Sequence, residues 1–95
     1  LVIGDPMPLP DRPQWSRQTV TLHVDCDERF KAGSHPYVDP LSSVPWLARH
    51  AAAQGTPLRA GDLIATGSWS GIYWASAGQT ITFTLDGSGS ASVTV

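Results

Sequence analysis

The run Thr66-Gly67-Ser68-Trp69-Ser70-Gly71 is the part of this 95-residue chain best suited to hold a ligand. Gly67 and Gly71 permit close backbone approach, and the free N–H groups of such a loop can hold an anion. Ser68 and Ser70 add hydroxyls. The spacing is not that of a nucleophile elbow, and no helix follows. A β-bulge or a tight hairpin accounts for the same residues equally well.

Other reactive side chains are scattered. The three histidines are His23, His35 and His50, with no H-x-x-x-H or E-x-x-H pair among them. His23 belongs to a strand face, and His50 to a solvated helix C-terminus where the dipole favours it. His35, in Ser34-His35-Pro36, sits in a loop, where function concentrates. Asp25, Asp27 and Glu28 could approach a hard cation. Three carboxylates in one turn are better explained by the local hydrogen bonds of Asp. Asp62 is a turn residue of the same kind. Cys26 is the single cysteine, so no internal disulfide is available. Its flanking carboxylates, Asp25 and Asp27, disfavour the thiolate. No metal ligand set and no catalytic base can be read from the residues.

The elements that must position the Thr66–Gly71 loop follow from periodicity. Residues 1–16 are a connector, with Pro6, Pro8, Pro10 and Pro13 holding the chain extended. Leu1, Val2 and Ile3 read as the end of a strand. Residues 17–32 form a β-hairpin: Val20, Leu22 and Val24 alternate with Thr19, Thr21 and His23, turn through Asp25–Glu28, and return along Arg29–Ala32. Gly33–Pro40 is a loop. Residues 39–54 are a helix region in which Asp39 caps an irregular turn. Pro45 defers the regular helix to about 44–53, and Gly55 ends it in the left-handed conformation. Residues 61–95 are β-strands: Leu63–Thr66, Ile72–Trp74, Thr80–Leu85 and Ala91–Val95, the last two joined by Asp86-Gly87-Ser88-Gly89. The fold class is α+β, mostly β, with a mixed or antiparallel sheet and one helix.

Size and composition exclude much. At 10.1 kDa the chain is one small domain with a thin core. Net charge is −2, without the basic stripe of a nucleic-acid binder. Apolar runs are too short to span a membrane, and no signal-peptide pattern occurs, so a cytoplasmic setting is the default. Charged residues are 15% of the chain, well below the roughly 25% of ordinary soluble domains. Part of the surface is therefore expected to face protein, through self-association or docking onto a missing N-terminal part.

Spaced motifs carry a resemblance over nearly all 95 residues. Asp39-Pro40-Leu41 leads to Pro45-Trp46-Leu47-Ala48. Then come Gly55-Thr56-Pro57-Leu58-Arg59-Ala60-Gly61-Asp62-Leu63-Ile64-Ala65 and Thr66-Gly67-Ser68. Val2-Ile3-Gly4 opens the chain, and Gly87-Ser88-Gly89-Ser90-Ala91-Ser92-Val93 closes it. This resembles the C-terminal region of the fumarylacetoacetate hydrolase superfamily, in its 2-keto-4-pentenoate hydratase and oxalocrotonate decarboxylase branch. The resemblance implies the C-terminal part of that family's β-roll. It also implies that Thr66, Gly67 and Ser68 face the 2-oxo acid end of a substrate.

The same resemblance implies Mg²⁺ or Mn²⁺ in the complete enzyme, held by an E-x-E pair and a further acidic residue. This chain has no E-x-E, and its only glutamate is Glu28. The expected role is therefore the substrate-contacting part of a hydratase-like enzyme, which adds water to a 2-hydroxy-2,4-dienoate. Decarboxylation and C–C hydrolysis are sister outcomes, and a stand-alone binding module is the alternative. The 95-residue chain alone is expected to show no Mg²⁺-stimulated hydration of a dienoate. A spectrophotometric assay of the pure chain checks this, and measurable metal-stimulated turnover contradicts it.

Overall fold

Strict apolar–polar alternation in a β-branched run makes a strand whose one face needs covering, and Val20–Val24 is that strand, β1. The computed structural model describes residues 1–32 and 35–95. Among the described residues, Val20, Leu22 and Val24 form the buried hydrophobic core. β1 is flanked on both sides, by β2 (Asp27–Ala32) and by β3 (Thr80–Leu85), and β4 (Gly89–Thr94) completes the sheet. Strand order is β2-β1-β3-β4, with every neighbouring pair antiparallel. The mixed or antiparallel expectation thus resolves to antiparallel.

The β1–β2 turn is tighter than the expected Asp25–Glu28. Val24 pairs with Asp27, leaving Asp25 and Cys26 as the turn. Asp25 takes the left-handed conformation at φ 56°, which Asp tolerates better than most residues. Its N–H donates to the Thr80 carbonyl at 2.7 Å, and its Oδ1 accepts the Thr80 N–H at 2.9 Å. The turn is thereby tied to the start of β3. Register slips between Leu22 and His23, so that Arg29 is the extra residue of a bulge.

The second face of β1 is not simply solvated, as alternation alone suggests. Thr21 is buried beside Asp86. The Asp86 carboxylate accepts from the Thr19 hydroxyl at 2.6 Å and from the Thr21 hydroxyl at 3.1 Å. Its backbone N–H donates to the Thr19 carbonyl at 3.0 Å. The hairpin between β3 and β4 is thus fastened to the central strand by a residue that also makes the turn. Hydroxyl pairs Thr80–Thr94 and Thr82–Ser92 lie directly opposite one another across β3 and β4, at 2.7 and 2.9 Å.

The helix, α1, runs Val44–Ala53, with Pro45 in its first turn where a missing N–H costs nothing. Asp39 Oδ1 accepts the Leu41 N–H at 2.8 Å and organises the turn that precedes it. Gly55 follows at φ 81°. Among the described residues α1 packs on none of the strands. A 3₁₀ turn, Trp15–Arg17, ends the proline-rich connector. The loop expected at Gly33–Pro40 falls partly on 33 and 34, outside the described residues; 35–40 are turns and bends.

Three expected strands are absent. Leu1–Ile3, Leu63–Thr66 and Ile72–Trp74 lie outside regular structure, so residues 61–79 are not strand. The physical reason is the lack of a partner. Among the described residues, no backbone group from 63 to 75 bonds to another backbone group. A strand without a ladder is not stable in water, however good its propensity. Its large apolar side chains stay exposed: Leu63 is 67%, Ile72 82% and Trp74 88% accessible. The radius of gyration, 15.1 Å, exceeds the about 12 Å of a compact domain of this length.

The Thr19 hydroxyl, opposed by partial desolvation and helped by Thr21, Lys31 and His23, holds the Asp86 carboxyl below its ordinary pKa. A lowered folded-state pKa adds stability above the unfolded value, which is lost as pH falls through the folded one. Urea unfolding at a series of pH values should therefore show a stability loss that begins as pH falls through the usual carboxylate range and is complete only below it. Asp86→Asn should lower stability at neutral pH and flatten that acid limb. An unchanged acid limb in the variant contradicts this role.

Candidate functional site around Gly67

Glycine at 67 is demanded twice. Its φ is 119°, which side chains rarely adopt, and a Cβ there would stand 3.0 Å from His35 Nε2. The loop Thr66–Gly71 thus rests directly on His35. That ring is 3% exposed. Trp69 meets it edge-on, with centroids 5.1 Å apart, and Trp69 in turn touches Trp15 at 6.4 Å. Tyr37 lies 5.8 Å from the same imidazole. The 3₁₀ turn, the 35–37 bend and the candidate loop therefore meet in one aromatic cluster.

His35 is held by its Nδ1 side. The Tyr37 N–H lies 3.1 Å from Nδ1 and the Tyr37 carbonyl 2.9 Å from it. Nε2 is buried with no hydrogen-bond partner among the described residues. Such an unpaired group is costly and calls for a cause.

The sequence-derived site residues lie together on the loop. Thr66 is half-buried, and Gly67 and Ser68 are exposed. The Ser68 hydroxyl donates to the Gly71 carbonyl at 3.0 Å, so in this state it closes a local turn. Ser70 is half-buried. Among the described residues, no N–H from Thr66 to Gly71 donates to a protein acceptor. A groove of about 590 Å³, walled by Leu1–Pro6 and Leu63–Ala65, ends one residue before Thr66.

The remaining polar candidates do not join the loop. Half-buried His23 is on β1, and exposed His50 stacks on Trp46 at 4.9 Å along α1. Asp25 is engaged with Thr80, and Asp27 pairs with Arg29 at 3.3 Å. Cys26 is exposed. Asp62 accepts the Arg59 N–H at 2.7 Å, closing the turn before the loop. Among the described residues, no three His, Cys, Asp or Glu side chains come together to hold a metal ion. The residues present therefore do not fit a hard divalent cation, which takes several oxygen ligands. No helix among the described residues is long and apolar enough to cross a membrane.

Residues 1–95 match the family profile of the fumarylacetoacetate (FAA) hydrolase C-terminal domain, and the chain belongs to that family. Two curated relatives carry the name 2-keto-4-pentenoate hydratase. The protein from Burkholderia vietnamiensis (strain G4 / LMG 22486) is 39% identical over 56 residues, covering 59% of this chain and 21% of the relative. The protein from Paraburkholderia phymatum (strain DSM 17167 / CIP 108236 / LMG 21445 / STM815) is 40% identical over 52 residues, covering 55% and 20%. The aligned region is about one-fifth of the length of these relatives. No solved structure matches the chain.

Sequence reasoning left the role of His35 open. Its partner loop lies some thirty residues further along the chain, and no local pattern announces the contact. The one available sign is a histidine in a loop before proline.

Gly67→Ala and Gly71→Ala separate backbone strain from the His35 contact. Both glycines have positive φ, 119° and 71°, but among the described residues nothing lies within 4 Å of a Cβ at Gly71. Strain alone costs about 1–3 kcal/mol at either position. Only Gly67→Ala should also displace Trp69, seen as a changed near-UV circular dichroism. Equal signals for the two variants contradict the contact.

Proposed function

We propose that this chain is the C-terminal, substrate-contacting part of a 2-keto-4-pentenoate hydratase-like enzyme. The observation that carries this reading is the loop itself: consecutive N–H groups from Thr66 to Gly71 have no protein acceptor among the described residues, in a family whose curated relatives are named as hydratases. Backbone N–H groups left without acceptors suit a carboxylate. The substrate would be a 2-hydroxy-2,4-dienoate, and the product a 4-hydroxy-2-oxo acid.

In this reading the loop binds and orients the acid end of the substrate. Gly67, lacking a side chain, lets that end approach the backbone. The Ser68 hydroxyl turns from the Gly71 carbonyl to donate to a carboxylate oxygen, and Thr66 offers a second hydroxyl beside it. Holding the acid end fixes where the diene lies relative to whatever groups add water. Mg²⁺ or Mn²⁺, where the reaction uses one, would have to be held by residues other than those described. The apolar, unladdered surface of 63–75 would be covered by the rest of such an enzyme.

Ser68→Ala in a hydratase carrying this segment tests the reading. A hydrogen bond to a charged group contributes roughly 1.5–3 kcal/mol, so kcat/KM should fall about ten- to hundredfold. Ser70→Ala, beyond Trp69, should leave kcat/KM nearly unchanged. Normal kinetics for Ser68→Ala with a lowered melting temperature would show that Ser68 only closes its turn.

A further inference from the structure

We infer that His35 Nε2 is the buried hydrogen-bond donor to a carboxylate held on the Thr66-Gly67-Ser68 loop, which makes His35 a ligand-binding residue. This rests on the reading of the loop as an anion site.

The ring is 97% buried yet leaves one nitrogen without a partner among the described residues. Buried polar groups are nearly always paired, and exceptions cluster where function supplies the partner. The unpaired edge faces the loop. The position of a Cβ at Gly67 is 3.0 Å from Nε2 and 3.3 Å from Cε1. Among the described residues, no other atom lies within 4 Å of that position, apart from the glycine and its chain neighbours. The absence of a side chain at residue 67 therefore leaves the approach to Nε2 lined by the loop alone.

The other ring nitrogen allows the required tautomer. Nδ1 has the Tyr37 carbonyl at 2.9 Å and the Tyr37 N–H at 3.1 Å, so either tautomer finds a partner there; when Nδ1 accepts the N–H, Nε2 carries the proton. A carboxylate has only acceptors, so it selects that form. Trp69 beside the ring excludes water and strengthens a charge-assisted bond. Nε2 and the adjacent N–H groups of the loop would then serve one anionic end. Because Nε2 is sealed in the ligand-free chain, binding requires Gly67 to move off the ring. The ligand class is a small 2-oxo acid.

The test is nuclear magnetic resonance on the 95-residue chain, with pyruvate as the probe, reading backbone amides and imidazole nitrogens together. Pyruvate should shift the Gly67 and Ser68 amides and the His35 Nε2 signal with one common affinity. His35→Phe keeps a ring against Trp69 and should weaken pyruvate binding about tenfold or more. His35→Gln keeps an N–H donor and should weaken it less. The ligand-free Phe variant removes the unpaired Nε2 but also the Nδ1 contact with Tyr37, and these opposing effects should leave its melting temperature near that of the parent. Shifts at Gly67 and Ser68 without any at His35, or unweakened binding by His35→Phe, overturn the role of His35 and leave the loop reading standing. Should the Phe variant fail to fold, the His35 signal and the Gln variant decide. Weakened binding accompanied by lower melting in both variants marks a structural residue and also overturns the inference. No shift at either site overturns both readings.

Discussion

The sheet of this chain depends on one strand having a neighbour on each side. β1 buries Val20, Leu22 and Val24, and among the described residues no other large apolar side chain is buried. Full burial of such a side chain contributes about 1.5–3 kcal/mol, so the core is thin. The polar fastenings are correspondingly prominent. Asp86 grips Thr19 and Thr21 at one end of β1, and Asp25 grips Thr80 at the other. Both carboxylates sit at hairpin turns and bond across to another strand. They align β3 against β1 although many residues separate the two in sequence.

Outside the sheet the chain is organised by local caps and by aromatic contact. Asp39, Gly55 and Asp62 shape the path around α1 and into the loop. The Trp15–Trp69–His35–Tyr37 cluster then fixes the loop relative to the connector. The stretch from 63 to 75 has neither ladder nor core among the described residues. Its N–H groups at the loop are therefore available, which is the same property that makes it a poor strand. An anion site and an unpaired backbone are here one physical fact. The candidate site thus sits where the fold is least self-sufficient, as ligand-contacting segments commonly do.

Much of this was legible from the residues. Alternation gave β3 its limits and found β1 and β4 to within one or two residues, β4 starting at Gly89 rather than Ala91, and Pro45 with Gly55 bounded α1 at the residues observed. Those signals are local, set by steric preference and by which face is apolar. Alternation misled at Thr21, because a hydroxyl can be buried when a carboxylate from a distant turn meets it. It misled again at Leu63–Thr66 and Ile72–Trp74, where propensity was right for a strand but no partner supplied hydrogen bonds. The T-G-S run was legible as a loop; the Ser68 bond to Gly71 and the seat of Gly67 on His35 were not. Those depend on how distant segments come together, which spacing does not record.

The most direct measurement is a crystal structure, with a 2-oxo acid bound, of a hydratase carrying this segment. The expected result is the ligand carboxylate within hydrogen-bond distance of the Gly67 and Ser68 N–H groups. A 2-oxo acid bound with its carboxylate elsewhere, and Thr66–Gly71 unchanged and free of contact with it, contradicts the assignment of this loop as the acid-binding site.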